Sequence, residues 1–217
     1  MIGKLLKKEL RLCMHPMLPA SLLLSALLLA PNYPYAIMYF YLTLGIFFTG
    51  LTRRENHDVL FTCMLPVKKE QIVTAQILFA VIAELLQMLI ALPLFVLHRH
   101  LISVPNAAGM EANIVLLAEG FLIYGVFHLV YFVGLFRDTD KVGVNFLKAG
   151  AVVFLLIFAE LACTYAVPFA RDILDTPDPQ YLGVKLLFAL ICLGLYCVFT
   201  IVSVKLAQKR FGNTDIR

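Results

Sequence analysis

The run IVTAQILFAVIAELLQMLIALPLFVL at positions 72–97 decides the fold class. It holds one ionisable side chain, Glu84, in 26 residues. As a helix it would reach roughly 39 Å, more than the about 30 Å of hydrocarbon in a bilayer. A buried strand or soluble core helix needs no apolar run this long, so the stretch reads as a transmembrane helix. Working outward, five more stretches share its character: 17–30, 35–52, 114–136, 147–169 and 186–207. The first is short. Its 14 residues reach about 21 Å, so it must borrow from the segment before Pro16 or from Pro31-Asn32-Tyr33-Pro34, a helix-breaking turn.

Composition agrees with these spans. The chain has 217 residues, 61% of them hydrophobic and only 15% charged, with a mean hydropathy of +0.88. A soluble domain is roughly half apolar and a quarter charged, so a soluble enzyme is excluded as the default, and disorder with it. The net charge of +4 would suggest a nucleic-acid partner only if basic residues clustered on a soluble face, and they do not. The basic, leucine-rich start resembles a signal peptide in outline. No small-x-small cleavage site follows, however, and Pro31 stands where a mature chain would begin.

Orientation follows from charge. With six spans and both termini inside, the inner segments hold Lys4, Lys7, Lys8, Arg11, Arg53, Arg54, Lys68, Lys69, Arg137, Lys141, Lys148, Lys205, Lys209, Arg210 and Arg217, fifteen of the 18 lysines and arginines. Only Arg99, Arg171 and Lys185 fall outside, which is the bias expected of a protein with cytoplasmic termini. The expected fold is therefore all-α: an interfacial helix over 1–16, a six-span domain over 17–207 and a cytoplasmic tail over 208–217. Cys13, Cys63, Cys163, Cys192 and Cys197 form no C-x-x-C pair, and neither a disulfide framework nor a metal site is expected.

Residues 2–13 form an amphipathic pattern, with Ile2, Leu5, Leu6, Leu10 and Cys13 on one face and Lys4, Lys7, Lys8 and Arg11 on the other. Such a helix lies in the membrane interface with its lysines on lipid phosphates. Glu9 interrupts the apolar face. It either rides high enough to be hydrated or meets a basic residue of the inner layer, with Arg53, Arg54 and Lys141 the nearest by depth. The longest inner loop, 53–71, carries charges, then the apolar run 59–65, then Pro66 and a second charged cluster. That order predicts a short helix near the membrane, ended by the proline.

The order of a basic N-terminal helix, two spans, Glu55, and then Leu65-Pro66-Val67-Lys68-Lys69 and Ile72-Val73 resembles the membrane subunit of the ABC-2 type of ATP-binding-cassette exporters, in its small six-span bacterial form. The resemblance covers the whole chain in topology and about residues 50–75 in sequence. It implies a bacterial cell-membrane permease working as a homo- or heterodimer with two copies of a cytoplasmic ATPase, which would hold ATP and Mg. It also implies that the loop after span two is a coupling helix, with Arg53, Arg54, Glu55, His57 and Asp58 facing the ATPase and Leu60, Phe61 and Leu65 packing on the bundle. The loop 137–146 would be a second, smaller contact. Larger members carry helical hairpins between spans five and six, for which 170–185 is too short. The chain has no Gly-x-x-x-x-Gly-Lys-Ser/Thr, so ATP chemistry would sit on another polypeptide.

Polar residues inside the spans are functional candidates. Gln76, Glu84 and Gln87 share one face of span three with Ala80, Ala83 and Ala91. Tyr124, His128 and Tyr131 form a stripe on span four, with Glu119 near its outer end on the opposite face. Span five adds Glu160, with Thr164 one turn later. Glu84 and His128 lie equally far from the outer ends of neighbouring antiparallel spans, so they are expected to touch. His98 and His100 read as an interfacial loop. These groups fit structural hydrogen bonding and also a proton or cation path. Two further readings accordingly stand beside the exporter: an ion-coupled transporter using Glu84, His128 and Glu160, and a non-transporting sensor or immunity subunit. The apolar spans favour a hydrophobic or amphipathic cargo, peptide or drug-like.

Overall fold

A computed structural model of the chain describes residues 1–102 and 104–213; Arg217 and the last four residues of the expected tail lie outside the described residues. Among the described residues eight α-helices follow in order: α1 (Ile2–Lys8), α2 (Met17–Leu23), α3 (Ile37–Glu55), α4 (Asp58–Cys63), α5 (Lys69–Leu101), α6 (Ile114–Leu135), α7 (Val142–Ala166) and α8 (Leu182–Gly212). Wider π-type turns extend α1 over Glu9–Cys13 and follow α7 over Ala170–Leu174, and a 3-10 segment, Leu24–Leu29, extends α2. No strand occurs among the described residues.

Local chemistry sets the boundaries. Asn113 caps α6, its side-chain oxygen accepting from the N–H groups of Val115 and Leu116. At the start of α5 the Gln71 side chain accepts from the Lys68 N–H. His57 takes a left-handed conformation, φ 49°, which turns the chain sharply from α3 into α4.

Four helices, α5 to α8, are long and apolar enough to cross a membrane, and the pair Ile2–Cys13 and Met17–Leu29, bent by 88°, makes a fifth if it is one broken span. Two of the six expected stretches do not qualify alone. Residues 17–30 yield only α2 and its 3-10 extension, and α3 spends its last turn on Thr52-Arg53-Arg54-Glu55. Span three is longer than expected because Lys69–Gln71 and His98–Leu101 continue its helix. The expected loop 137–146 is shorter, since α7 begins at Val142 and Phe146 stacks on Phe47 with ring centroids 4.2 Å apart.

The core gathers around α6, which packs most closely on α8 and then on α7. Tyr124, Phe127, His128, Tyr131 and Phe132 are all fully buried. Gly125 allows the approach of α8, because a Cβ there would stand 3.1 Å from the Tyr196 Cα. On the outside, α7 and α8 expose Leu155, Phe158, Leu190, Ile191 and Ile201. So large an apolar surface is stable only against lipid or protein.

Candidate functional site

Polar chemistry concentrates in three places along the bundle. The first lies at the end carrying the 53–71 segment. Glu9 is 1% exposed, and its two oxygens meet Arg53 Nε at 2.7 Å and Lys8 Nζ at 3.2 Å. Lys8 also donates to Asp58 Oδ2 at 2.7 Å and to Thr62 Oγ1 at 3.0 Å. One ionic chain thus ties α1, α3 and α4 together. Burial works against an ionised Glu9, but the charges of Arg53 and Lys8 outweigh it and hold the carboxyl below its ordinary range. The hydrated alternative for Glu9 is excluded, and among the three expected partners Arg53 is the one it meets.

Several expected placements need correction. Arg53 does not face outward: it is buried, engaged by Glu9, with its guanidinium 5.4 Å from the Phe79 ring. Asp58 is likewise turned inward to Lys8. Phe61 and Leu65 do not pack on the bundle, being 63% and 54% exposed, whereas Leu60 is half-buried. The reason is the brevity of α4: six residues offer one inward stripe, and Asp58 and Thr62 take it through their bonds to Lys8. Arg54, Glu55 and His57 are exposed as expected. In α1 the buried stripe is Leu5, Glu9 and Cys13, while Leu10 points out with Lys4, Lys7 and Arg11. Ligand atoms of Glu9, Cys13 and Asp58 lie within 4.8 Å of one another. The cation among these carboxylates is the Lys8 ammonium.

The second place is mid-bundle. Glu84 Oε1 lies 2.8 Å from His128 Nε2, as their shared depth leads one to expect, and Glu84 Oε2 accepts from the Tyr196 hydroxyl at 2.8 Å. His128 Nδ1 stands 3.0 Å from Thr200 Oγ1. One turn along α5, Gln87 bonds the Tyr124 hydroxyl and donates to the Met38 carbonyl at 3.1 Å. Both oxygens of Glu84 are therefore engaged, in a network from α5, α6 and α8, and the neighbouring Gln87 bonds bring in α3. Gln76 and Tyr131 share these helix faces but not the network: Gln76 Nε2 and the Tyr131 hydroxyl are buried without partners.

The third place is the opposite end. Glu160 Oε1 accepts from the Met110 N–H at 3.2 Å, and with Glu119 it lines an apolar pocket between α6 and α7. Neither residue touches the Glu84 pair. Thr164 donates to the Glu160 backbone carbonyl, not to its carboxylate. His98 lies inside α5 and is buried, its Nδ1 2.6 Å from the Leu28 carbonyl oxygen, so the expectation of an interfacial loop is wrong there. Lys185 is fully buried at the base of α8, bonded to Asp178 at 2.9 Å and to the Thr176 carbonyl. Asp175 accepts from the Glu111 N–H at 2.7 Å, and burial pushes its carboxyl up to about 6.

Sequence reasoning missed Tyr196, Thr200, Lys185 and Asp178. Tyr196 and Thr200 are one turn apart in α8, a polar pair whose spacing was available; the loop acid Asp178 has no periodic signal.

The family model described as ABC-2 family transporter protein matches residues 4–211, from the first turn of α1 to the last turn of α8. No curated protein and no solved structure matches the chain.

Proposed function

The chain belongs to the ABC-2 transporter family, and from that premise we propose that it is the membrane-spanning permease subunit of an ATP-driven exporter. Permeases of this family generally pair with an ATPase subunit. In this reading the unit is a dimer of permeases, identical or not, in a bacterial cell membrane. Two copies of the ATPase hold ATP and Mg. The chain crosses six times, with α2 and its 3-10 extension as the first span and α3 as the second. Residues 1–16 lie in the cytoplasmic interface, and both termini are cytoplasmic.

The observation that carries the coupling role is the surface of α4 and its flanks. Glu55 and His57 are exposed, and so are the apolar Phe61, Met64 and Leu65 that follow them in the chain, a mixture of apolar and polar side chains suited to a protein partner. Its base is rigid: Asp58 and Thr62 hold Lys8, and Glu9 holds Arg53 of α3. An ATPase seated on this patch would move α1 and α3 together with α4. Closure of the ATPase dimer on ATP then shifts the bundle between inward-facing and occluded or outward-facing states. Lipid surrounds the exposed faces of α7 and α8, and the cargo is hydrophobic or amphipathic, a peptide or drug-like molecule.

The separation of Glu160 from Glu84 and His128 favours this reading over an ion-coupled transporter that would use all three. Purification of the native complex in mild detergent tests it. A stoichiometric ATPase carrying a Walker motif is expected, and Phe61→Asp and Glu55→Arg should each weaken its retention while the bundle keeps its thermal stability. Pure chain without such a partner, or retention indifferent to both changes, would remove α4 from the mechanism.

A further inference from the structure

The outer face of α7 carries its own measure of the bilayer. From Ala151 to Ala166 every exposed side chain of this helix is Ala, Leu, Phe, Cys or Tyr, and Lys148 is the first exposed charge before them. Lys148 and Tyr165 are 17 positions apart, which is roughly 26 Å at the helical rise and close to the thickness of bilayer hydrocarbon. With that face in lipid, Lys148 lies at the headgroup level of one leaflet and Tyr165, 55% exposed, at that of the other.

Beside Lys148, between α6 and α7 and bordered by the end of α8, runs a groove of about 420 Å³. Its apolar wall is built from Leu129, Val130, Val133 and Val144. Around that wall stand Arg137, Lys141, Lys148 and Arg210 with one carboxylate, Asp138. Asp138 is engaged by Lys141 at 2.7 Å, and Arg210 donates to the Val133 carbonyl oxygen at 2.9 Å. The other side-chain acceptor, the Asn145 amide oxygen, is packed against Gly134, where a Cβ would collide with it. Arg137 and Lys148 are both exposed, and neither has a carboxylate within salt-bridge reach among the described residues.

Two requirements meet in this groove. Val144 and Leu147 are 49% and 73% exposed and continue into the apolar stripe of Leu155 and Phe158, a surface that water covers only at a high cost. Lipid covers such a face, and every lipid that does so brings its head to the level of Lys148. Water solvates the two cations but leaves the stripe bare, and a free anion does the same. A zwitterionic head sets its own cation against Arg137 and Lys148. Acyl chains with an anionic head satisfy both the stripe and the charges.

We propose that this groove binds an anionic phospholipid, its phosphate between Arg137 and Lys148 and its chains along the exposed stripe of α7. The proposal rests on α7 facing lipid, and it is independent of the coupling role of α4 and of the number of crossings.

Thermal unfolding of the full chain in maltoside tests it, with any subunit that co-purifies left bound and co-purified lipid washed out until a phosphorus assay finds none. Phosphatidylglycerol and phosphatidylcholine with the same acyl chains are titrated at one ionic strength, and each protein is read against its own lipid-free melting temperature. Wild type should show a saturable rise with phosphatidylglycerol at a half-saturating concentration at least about tenfold below that for phosphatidylcholine. Arg137→Gln combined with Lys148→Gln should raise the phosphatidylglycerol value about tenfold or more and leave the phosphatidylcholine value unchanged. Lys205→Gln combined with Lys209→Gln removes two exposed lysines of α8 outside the groove, and should keep the wild-type preference. An equal loss in both double variants would mean diffuse attraction by net charge, and equal affinity of wild type for the two lipids would mean that the face takes any lipid. No saturable response would mean that protein covers the groove. Each of these three results overturns the proposal.

Discussion

Glu84 faces hydrocarbon depth with two partners, His128 and Tyr196, and that pairing is what makes a carboxylate tolerable there. Replacing it by leucine would strand the His128 Nε2 and the Tyr196 hydroxyl, an expected loss of about 2–4 kcal/mol. Glu84→Gln keeps the shape and an acceptor, so it should lower the melting temperature in detergent far less than Glu84→Leu. Transport by Glu84→Gln distinguishes the roles: activity near wild type marks a structural bond, and its abolition with stability intact marks a proton carrier. We expect the former, because both Glu84 oxygens are already engaged and Glu160 lies outside their network. The Glu84–His128 contact was legible in sequence because both residues could be counted inward from span ends. Gln76 shows the limit of that reasoning. It shares the helix face of Glu84 but sits about 12 Å away along the axis, among different neighbours.

Short elements misled where long ones did not. A helix near residues 59–65 followed from an apolar run ended by Pro66, but in six residues the apolar face need not be the buried one. The polar pair Asp58 and Thr62 won the inward stripe because Lys8 was there to meet it, a contact 50 residues away that periodicity does not encode. The turn Ala170–Leu174 and the segment after it carry no periodic signal in sequence, yet they lace the far end of the bundle. Asn113 donates to the carbonyls of Leu174 and Thr176, and Asp175 accepts from Glu111. Asp175 makes a pH prediction. Its carboxyl sits at about 6 in the folded chain against an ordinary 3.8, so the fold binds its proton more tightly than the unfolded chain does. Stability from this group is full below the ordinary value and is lost as pH rises through about 6. Asp175→Asn, which retains an acceptor for the Glu111 N–H, should therefore raise the melting temperature at pH 8. The gain should shrink toward nothing near pH 4. A gain independent of pH would show that burial is not the cause.

At the scale of the whole molecule, the number of crossings turns on the hairpin formed by α2 and α3. Its two ends meet at one level of the bundle, where Lys8 reaches Asp58 and the His15 N–H donates to Thr49. Its tip meets the other end of α5, where the Leu28 carbonyl pairs with His98, and Asn32 and Tyr33 bond the segment at Ala107 and Asn106. In the six-span reading proposed above, a hairpin whose tip travels with the far end of α5 would cross as deeply as α5 does, despite the 13 residues of its first arm. The 3-10 extension helps, because it rises about 2.0 Å per residue where an α-helix rises 1.5. Crossings so proposed would be even in number and would put most of the lysines and arginines on the side of the termini, as the expected orientation requires. Single cysteines introduced into a cysteine-free chain test it in intact cells with a membrane-impermeant maleimide. Pro31→Cys and Ala107→Cys, both at exposed positions of the far end, should label from outside, and Asn56→Cys should label only after the membrane is opened. Labelling of Ala107→Cys without Pro31→Cys would mean that the hairpin turns back within the membrane. The first two stretches would then form a re-entrant loop and the crossings would number four.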